Sequence, residues 1–429
     1  MSSPVLINAI MLTVALVGST NFVLSPLLAD IAADLGIAIA RSVLVPATCA
    51  GALAVVAPVV GLGMQTARRS SVIIGGLLVY GAAWGAAAFA QRFDLLLICA
   101  ALSGAAVGAV LPACYAAAAE MSGERDRARV MGRIVGGWAI AFLSVLPFTF
   151  IAQWTGWRGA LALLGGAALL LAAVVTVVRR PAAGSQRDAD LHARGHAGRN
   201  VGAQAGGQAG ADGSVAADPT GRKGGEARDD LALILRSIRE VFGDRPTVVL
   251  LGVNLIDMAA FFGVYAYLGS EIRRVTGWGV SATGAVMAAY GVGLAIITFN
   301  GQWIDRFGRQ RSAVLALATL APILSLLPWS LHLPWAIALN VGAWGIVQGS
   351  VFTAMTALAT EQLPQRRAVV TALLSCSTYL GVSLFTPAFV AVFEQAGYRV
   401  LAAACGAACL LSGLWLSRVA LRGSVPARS

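Results

Sequence analysis

The sequence is short of charge. Only 12% of its residues are Asp, Glu, Lys or Arg, whereas a soluble domain carries about a quarter, and this deficit excludes a water-solvated enzyme. Histidine is scarcer still: His192 and His196 lie in a Gly/Ala-rich stretch and His332 at the edge of an apolar segment, so neither catalysis nor metal binding is expected of them. The six cysteines, Cys49, Cys99, Cys114, Cys376, Cys405 and Cys409, fall inside apolar runs without metal-type spacing or an exposed pair. They read as small core residues. No G-x-x-x-x-G-K-[ST] loop occurs, so direct use of ATP is excluded and no cofactor is expected.

What the chain has in abundance is apolar sequence: 58% hydrophobic residues and a mean hydropathy of +0.77. A bilayer core needs about 20 apolar residues per helix. On that ruler the sequence predicts an all-α membrane protein with twelve transmembrane helices, near 5–28, 42–64, 72–90, 95–118, 134–153 and 159–178, then 246–270, 280–300, 312–332, 334–358, 368–391 and 400–418. The first stretch is too long for the core of a cleavable leader and lacks its basic head, so it reads as a span.

Placing both termini in the cytoplasm puts 25 of the 31 basic residues on that side, leaving Arg41, Arg92, Arg158, Arg273, Arg274 and Arg399 outside. Lys and Arg are retained on the cytoplasmic side, so the net charge of +11 is a topology signal and no nucleic-acid partner is expected. The expected location is a bacterial-type inner (plasma) membrane, with the lipid bilayer as the surroundings and a monomer as the assembly.

The expected division is an N-terminal six-helix bundle (1–180), a cytoplasmic linker (181–245) and a C-terminal six-helix bundle (246–429). Within the linker, 181–228 is rich in Gly, Ala, Asp and Arg and has too few large apolar residues to offset ordering entropy. Leu231, Ile234, Leu235, Ile238 and Phe242 then recur at helical spacing, which predicts a short amphipathic helix on the membrane face.

Three signatures recur about 240 residues apart. Gly61 opens a loop with Arg68 and Arg69, as Gly301 opens Gly-Gln-Trp-Ile-Asp-Arg-Phe-Gly-Arg-Gln-Arg. Glu120, ahead of an arginine cluster, matches Glu361, and Gly156-Trp157-Arg158 matches Gly397-Tyr398-Arg399. A common offset across unrelated signatures indicates duplication of a six-span unit.

The segment 301–311 resembles the loop motif G-x-x-x-D-[RK]-x-G-[RK] of the major facilitator superfamily, with Gly301, Asp305, Arg306, Gly308 and Arg309 in register. Pro26 to Gly36, Phe261 to Leu268 and the Gly-Trp-Arg after the fifth span are similar to its drug:proton antiporter and sugar-efflux branches. The resemblance implies two pseudo-symmetric six-helix bundles, a cavity lined by the first, fourth, seventh and tenth helices, and a gating role for the loop, with Glu120 and Glu361 beside it. Departures accompany it. Gln65 stands near the position of the loop Asp in the first half. Ala100 stands where proton-linked exporters carry an Arg four residues before Gly104, and the fifth-helix signature is reduced to Gly136, Gly137 and Leu146-Pro147.

Asp257 is the one clear ionisable residue inside a span, where a charge costs about 2.5–3.5 kcal/mol on the insertion scale. Asn254, Phe261 and Tyr265 share its helical face by spacing. Asn340, Trp344 and Gln348 form a stripe on the tenth span. Facing the cavity, Asp257 would carry a proton or pair with a cationic solute; as structural glue it would bond to a neighbouring helix. The polar stripe and Asn21 have the same two readings, and Trp138 and Tyr379 are wall or core aromatics. The expected function is export of a small organic solute by alternating access, with a proton as coupling partner. Alternatives are symport or facilitated uptake of a metabolite, or a transporter-like sensor.

Overall fold

The computed structural model describes residues 4–63, 69–121, 130, 133–134, 136–179, 236–300 and 307–421, and among these there is no strand. In lipid the backbone must satisfy its own polar groups, which long apolar runs do by becoming helices. The first four are α1 (Pro4–Leu35), α2 (Leu44–Gly63), α3 (Arg69–Ala87) and α4 (Phe93–Met121). Helix continues through Gly137–Leu143 and Val145–Arg179 but breaks at Gly156, giving α5 (137–155) and α6 (157–179).

The second half repeats the order with α7 (Arg245–Thr276), α8 (Val280–Asn300), α9 (Arg309–Ser330) and α10 (Pro334–Gln362). The run Arg367–Ser417 breaks at Gly397 into α11 (367–396) and α12 (398–417). Among the described residues this gives twelve spans, near the expected positions. Unbroken, the run 367–417 would be more than twice as long as a bilayer core is thick. Gly156 (φ 70°, ψ −177°) and Gly397 (φ 76°, ψ 177°) make the turns in a backbone region open only to glycine.

Helices α1 and α7 outrun their expected ends by about two turns. Helix α7 starts at an N-cap, with Asp244 accepting from the Thr247 N–H at 3.0 Å, and stops at Gly277 in the left-handed conformation. The amphipathic stretch of the linker is helical over 236–243, with Val241 buried and Phe242 exposed. The segment expected to be disordered, 181–228, lies outside the described residues.

The two halves pack by the same rules. In each, the second helix crosses the fourth so closely that a glycine is required: Gly104 of α4 against the Cys49 carbonyl of α2, and Gly345 of α10 against the Tyr290 carbonyl of α8. Both contacts, like the two turns, are related by a displacement of 241 residues (104 to 345, 49 to 290, 156 to 397). Packing of small residues, rather than apolar burial, holds helices together in lipid.

Between the halves, α2 lies against α11, α5 against α8 and α1 against α7. The face bearing the starts of α1 and α7 is called here the near face, and the one bearing their ends, Leu35 and Thr276, the far face.

Candidate functional site

Near the middle of α7, Asp257 is buried, and so are Asn254, Phe261 and Tyr265. Gln348 of α10 donates its amide to Asp257 Oδ2 at 2.7 Å, and Trp344 Nε1 donates to Gln348 Oε1 at 3.3 Å. The stripe on α10 and the acid on α7 thus meet in one hydrogen-bonded chain. The other carboxylate oxygen, Oδ1, is buried without a hydrogen-bond partner, as is the Tyr265 hydroxyl.

The wall expected along α7 is divided. Asn254 turns to α11, its amide reaching the Leu374 carbonyl and the hydroxyls of Ser377 and Thr378 at 2.8–3.2 Å. It lies nearly a turn before Asp257, so it addresses a different neighbour. Asn340 likewise donates to the Ile323 carbonyl of α9 at 3.3 Å. Both amide groups thus donate to neighbouring helices, though Asn340 Oδ1 is itself buried without a partner among the described residues. The side chain of Asn21, on α1, lies outside the described residues.

Phe261 and Tyr265 join an aromatic cluster that the sequence could not assemble. Phe261 packs on Phe262 (4.8 Å between ring centres), Tyr290 of α8 (5.2 Å) and Trp344 (5.3 Å). Phe22 of α1 reaches Tyr265 edge-on at 5.7 Å, and Phe142 of α5 lies 4.7 Å from Tyr290. Rings from both halves therefore meet at the midplane. Tyr290, Phe22, Phe142 and Phe262 were missed because each is a single ring in an apolar helix, with no periodic signal to set it apart.

Two small cavities lie between the halves. One, at the midplane, is lined by Phe22, Cys49, Trp138, Phe262 and Tyr379 among others, so Trp138 and Tyr379 are wall residues. Trp138 also donates to the Tyr115 hydroxyl at 2.7 Å. The second, toward the far face, is lined by Ser25, Pro46, Phe262, Tyr267 and Thr386 among others. Each encloses about 20 Å³, room for about one water. Asp257 lines neither.

At the far face the halves are locked together. Ser25 Oγ donates to the Tyr265 carbonyl at 2.6 Å, the Tyr267 hydroxyl to the Ala40 carbonyl at 3.4 Å, and Asp30 of α1 forms an ion pair with Arg273 of α7 at 2.8 Å. Gly269 of α7 lies so close to α1 that an added Cβ would stand 2.7 Å from Pro26 Cα. The turns carry their own contacts. Arg158 pairs with Asp34, which also accepts from Trp157 at 3.2 Å, and Arg399 lies 4.5 Å over the Trp329 ring.

Of the expected gating residues, Gly301, Asp305 and Arg306 and the side chain of Glu120 lie outside the described residues. Gly308 stands at φ 87° directly ahead of α9, and Arg309 forms an ion pair with Glu361 at the end of α10. Beside that pair, Arg366 donates to Glu240 of the linker helix at 2.9 Å, and this bond holds the Glu240 carboxyl below its ordinary range.

Comparison with known proteins agrees with the duplicated architecture. The family model described as Major Facilitator Superfamily matches residues 10–270 and again 247–429. An uncharacterized MFS-type transporter, YwfA of Bacillus subtilis (strain 168), is 26% identical over 402 residues, 92% of this chain and 87% of that protein. A chloramphenicol resistance protein of Streptomyces lividans is 26% identical over 156 residues, 36% of this chain and 40% of that protein. Twelve spans in two halves among the described residues, glycine turns in register and a double family match lead to one conclusion: the chain is a membrane transporter belonging to the Major Facilitator Superfamily.

Proposed function

We propose that this transporter exports a small organic solute across the inner membrane in exchange for protons, with the near face and both termini cytoplasmic. The observation that carries the reading is Asp257: a buried carboxylate inside a span, held on one oxygen by Gln348 and left without a partner on the other. A charge at such a depth is costly, so each closure of the protein over Asp257 favours the state in which a proton is bound. Opening to water on either side lets that proton exchange. Rocking of two six-helix bundles about a midplane site converts this exchange into net movement.

Export as the direction is supported by the similarity to the Streptomyces resistance protein. The far-face lock of Asp30 with Arg273 and Ser25 with the Tyr265 carbonyl suits a conformation closed on the outer side. A second reading, uptake by symport or facilitated diffusion, is favoured by Ala100, buried on α4 where proton-linked relatives carry an arginine.

Proteoliposomes with an imposed pH gradient test the proposal, with chloramphenicol as the first solute. The expected result is gradient-driven accumulation by the wild type and its loss in Asp257→Asn, with exchange in the absence of a gradient retained. Accumulation unchanged in Asp257→Asn would remove this carboxylate from the proton path. A wild type whose flux ignores every gradient would establish facilitated diffusion instead.

A further inference from the structure

Resting on the reading that a solute passes between the two halves, we infer that its path runs beside α7 through the two cavities, that Phe262 is the partition between them, and that the solute is uncharged and ring-bearing.

The geometry comes first. Both cavities lie at the junction of the halves, one at the level of Phe22, Trp138 and Tyr379, the other at that of Ser25 and Thr386, nearer the far face. Among the described residues, Phe262 is the one side chain common to both linings. It is only partly buried, whereas Phe261 beside it is fully packed. Its ring lies parallel to that of Phe22, 6.3 Å away.

The backbone next to Phe262 is closely packed against α11. A Cβ added at Gly263 would stand 2.8 Å from the Phe389 ring, so α7 and α11 are already in contact there. Because Phe262 lines both spaces, rotation of its side chain would join them. Separation of the halves then enlarges the joined space to the size of a solute.

Lining chemistry sets the class of ligand. The walls are aliphatic groups, rings that include Tyr265, Tyr267, Tyr379 and Trp138, the hydroxyls of Ser25 and Thr386 and the thiol of Cys49, and among the described residues they include no Asp, Glu, Lys or Arg. An ion there would be stripped of water without a counter-charge, which is costly. Rings offer offset or edge-on contacts to a flat ligand instead. Asp257 is kept apart: it lines neither cavity and bonds to Gln348, while Phe261, one turn along α7, packs on both Trp344 and Phe262. Solute and proton therefore occupy different sites, and a cationic solute does not compete with the proton for one carboxylate.

Equilibrium binding to the full chain in nanodiscs, without any gradient, tests this independently of proton coupling. The probes are a panel of uncharged aromatic amides, benzanilide first, and a panel of aromatic quaternary cations, tetraphenylphosphonium first. Members of the uncharged panel are expected to bind, with affinities in Asp257→Asn within about twofold of the wild type. Phe262→Ala is expected to weaken them about five- to tenfold, the scale of a lost aromatic contact. Phe262→Trp is expected to slow flux of the bound compound much more than it weakens binding. Phe262→Leu, with a smaller change in packing and a melting temperature near that of the wild type, guards against loss of fold. Preferential binding of cations that disappears in Asp257→Asn would overturn the inference, as would binding of neither panel or Phe262 variants that bind and transport like the wild type. Binding as expected with no gradient-driven flux would instead sink the proton-coupled reading and leave the path in place.

Discussion

Gln348 of α10 donates to Asp257 of α7 at 2.7 Å, the one hydrogen bond to that buried carboxylate among the described residues. Because Oδ1 is already without a partner, the site holds little reserve. Gln348→Leu strands both oxygens and is expected to lower stability by about 1–3 kcal/mol, the cost of an orphaned buried polar group. The double variant Gln348→Leu/Asp257→Leu should recover most of that loss, since both partners are then apolar. Thermal unfolding in detergent reads both, and a double variant no more stable than the single one would argue against the bond as the source.

The far-face lock should be measurable as a shift of conformational population. Asp30 and Arg273 are partly exposed, with 34% and 24% of their side-chain surface accessible, so after solvent screening the pair contributes only about 0.5–1 kcal/mol. In Asp30→Asn, a cysteine placed at Ala47, in the lining of the far-face cavity, should react with an impermeant maleimide about two- to fivefold faster. The charge-reversed pair Asp30→Arg/Arg273→Asp should restore the original rate. Equal rates in all three would mean that the ion pair does not bias the closed state.

Gly269 sets a firmer limit on the same closure. Its missing Cβ would stand 2.7 Å from Pro26 Cα and 2.9 Å from the Ser25 carbonyl, both backbone atoms that cannot rotate away. Gly269→Val should therefore hold α1 and α7 apart, at a cost of about 1–3 kcal/mol to the closed state. The expected readout is slowed transport together with raised labelling at Ala47→Cys.

At the two turns the penalty is conformational rather than steric. Nothing lies within 4 Å of a Cβ added at Gly156 or Gly397, yet both have φ near +70°. Gly156→Ala and Gly397→Ala should each lose about 1–3 kcal/mol, seen as a lower melting temperature, with ligand affinity unchanged in the protein that folds. A variant of normal stability would show that the turn can be made by another backbone path.

A pH dependence is expected where the linker helix meets the near face. Arg366 bonds to Glu240 and lowers its carboxyl from the ordinary value of 4.5. A carboxyl whose folded value is depressed adds stability that is fully present above the unfolded value and is lost as pH falls through the folded one. Docking of 236–243 should therefore be constant near neutrality and weaken only below 4.5. Hydrogen exchange of that segment checks this, and in Glu240→Gln the acid-dependent change should vanish.

Much of this molecule is determined by sequence that is local or repeated. Scarcity of charge and runs of about 20 apolar residues require helices in a bilayer, because lipid offers the backbone no other partner. Gly156-Trp157-Arg158 and Gly397-Tyr398-Arg399 marked the duplication, and both glycines prove to be the turns between spans. Asp257 stood out because an acid is conspicuous among apolar neighbours. Which residues meet it was not legible: among Asn254, Asn340 and Gln348, all at helical spacing, only Gln348 reaches the carboxylate, while the asparagines turn to α11 and α9. Nor could periodicity pair Asp30 with Arg273 or bring Tyr290 beside Phe261. Hydropathy fixes that a helix spans the membrane and roughly where it begins. How each helix is rotated about its axis, and which neighbour it crosses, depends on close contacts such as Gly104 on Cys49 and Gly345 on Tyr290. Those contacts join residues far apart in the chain, and only the packed structure decides them.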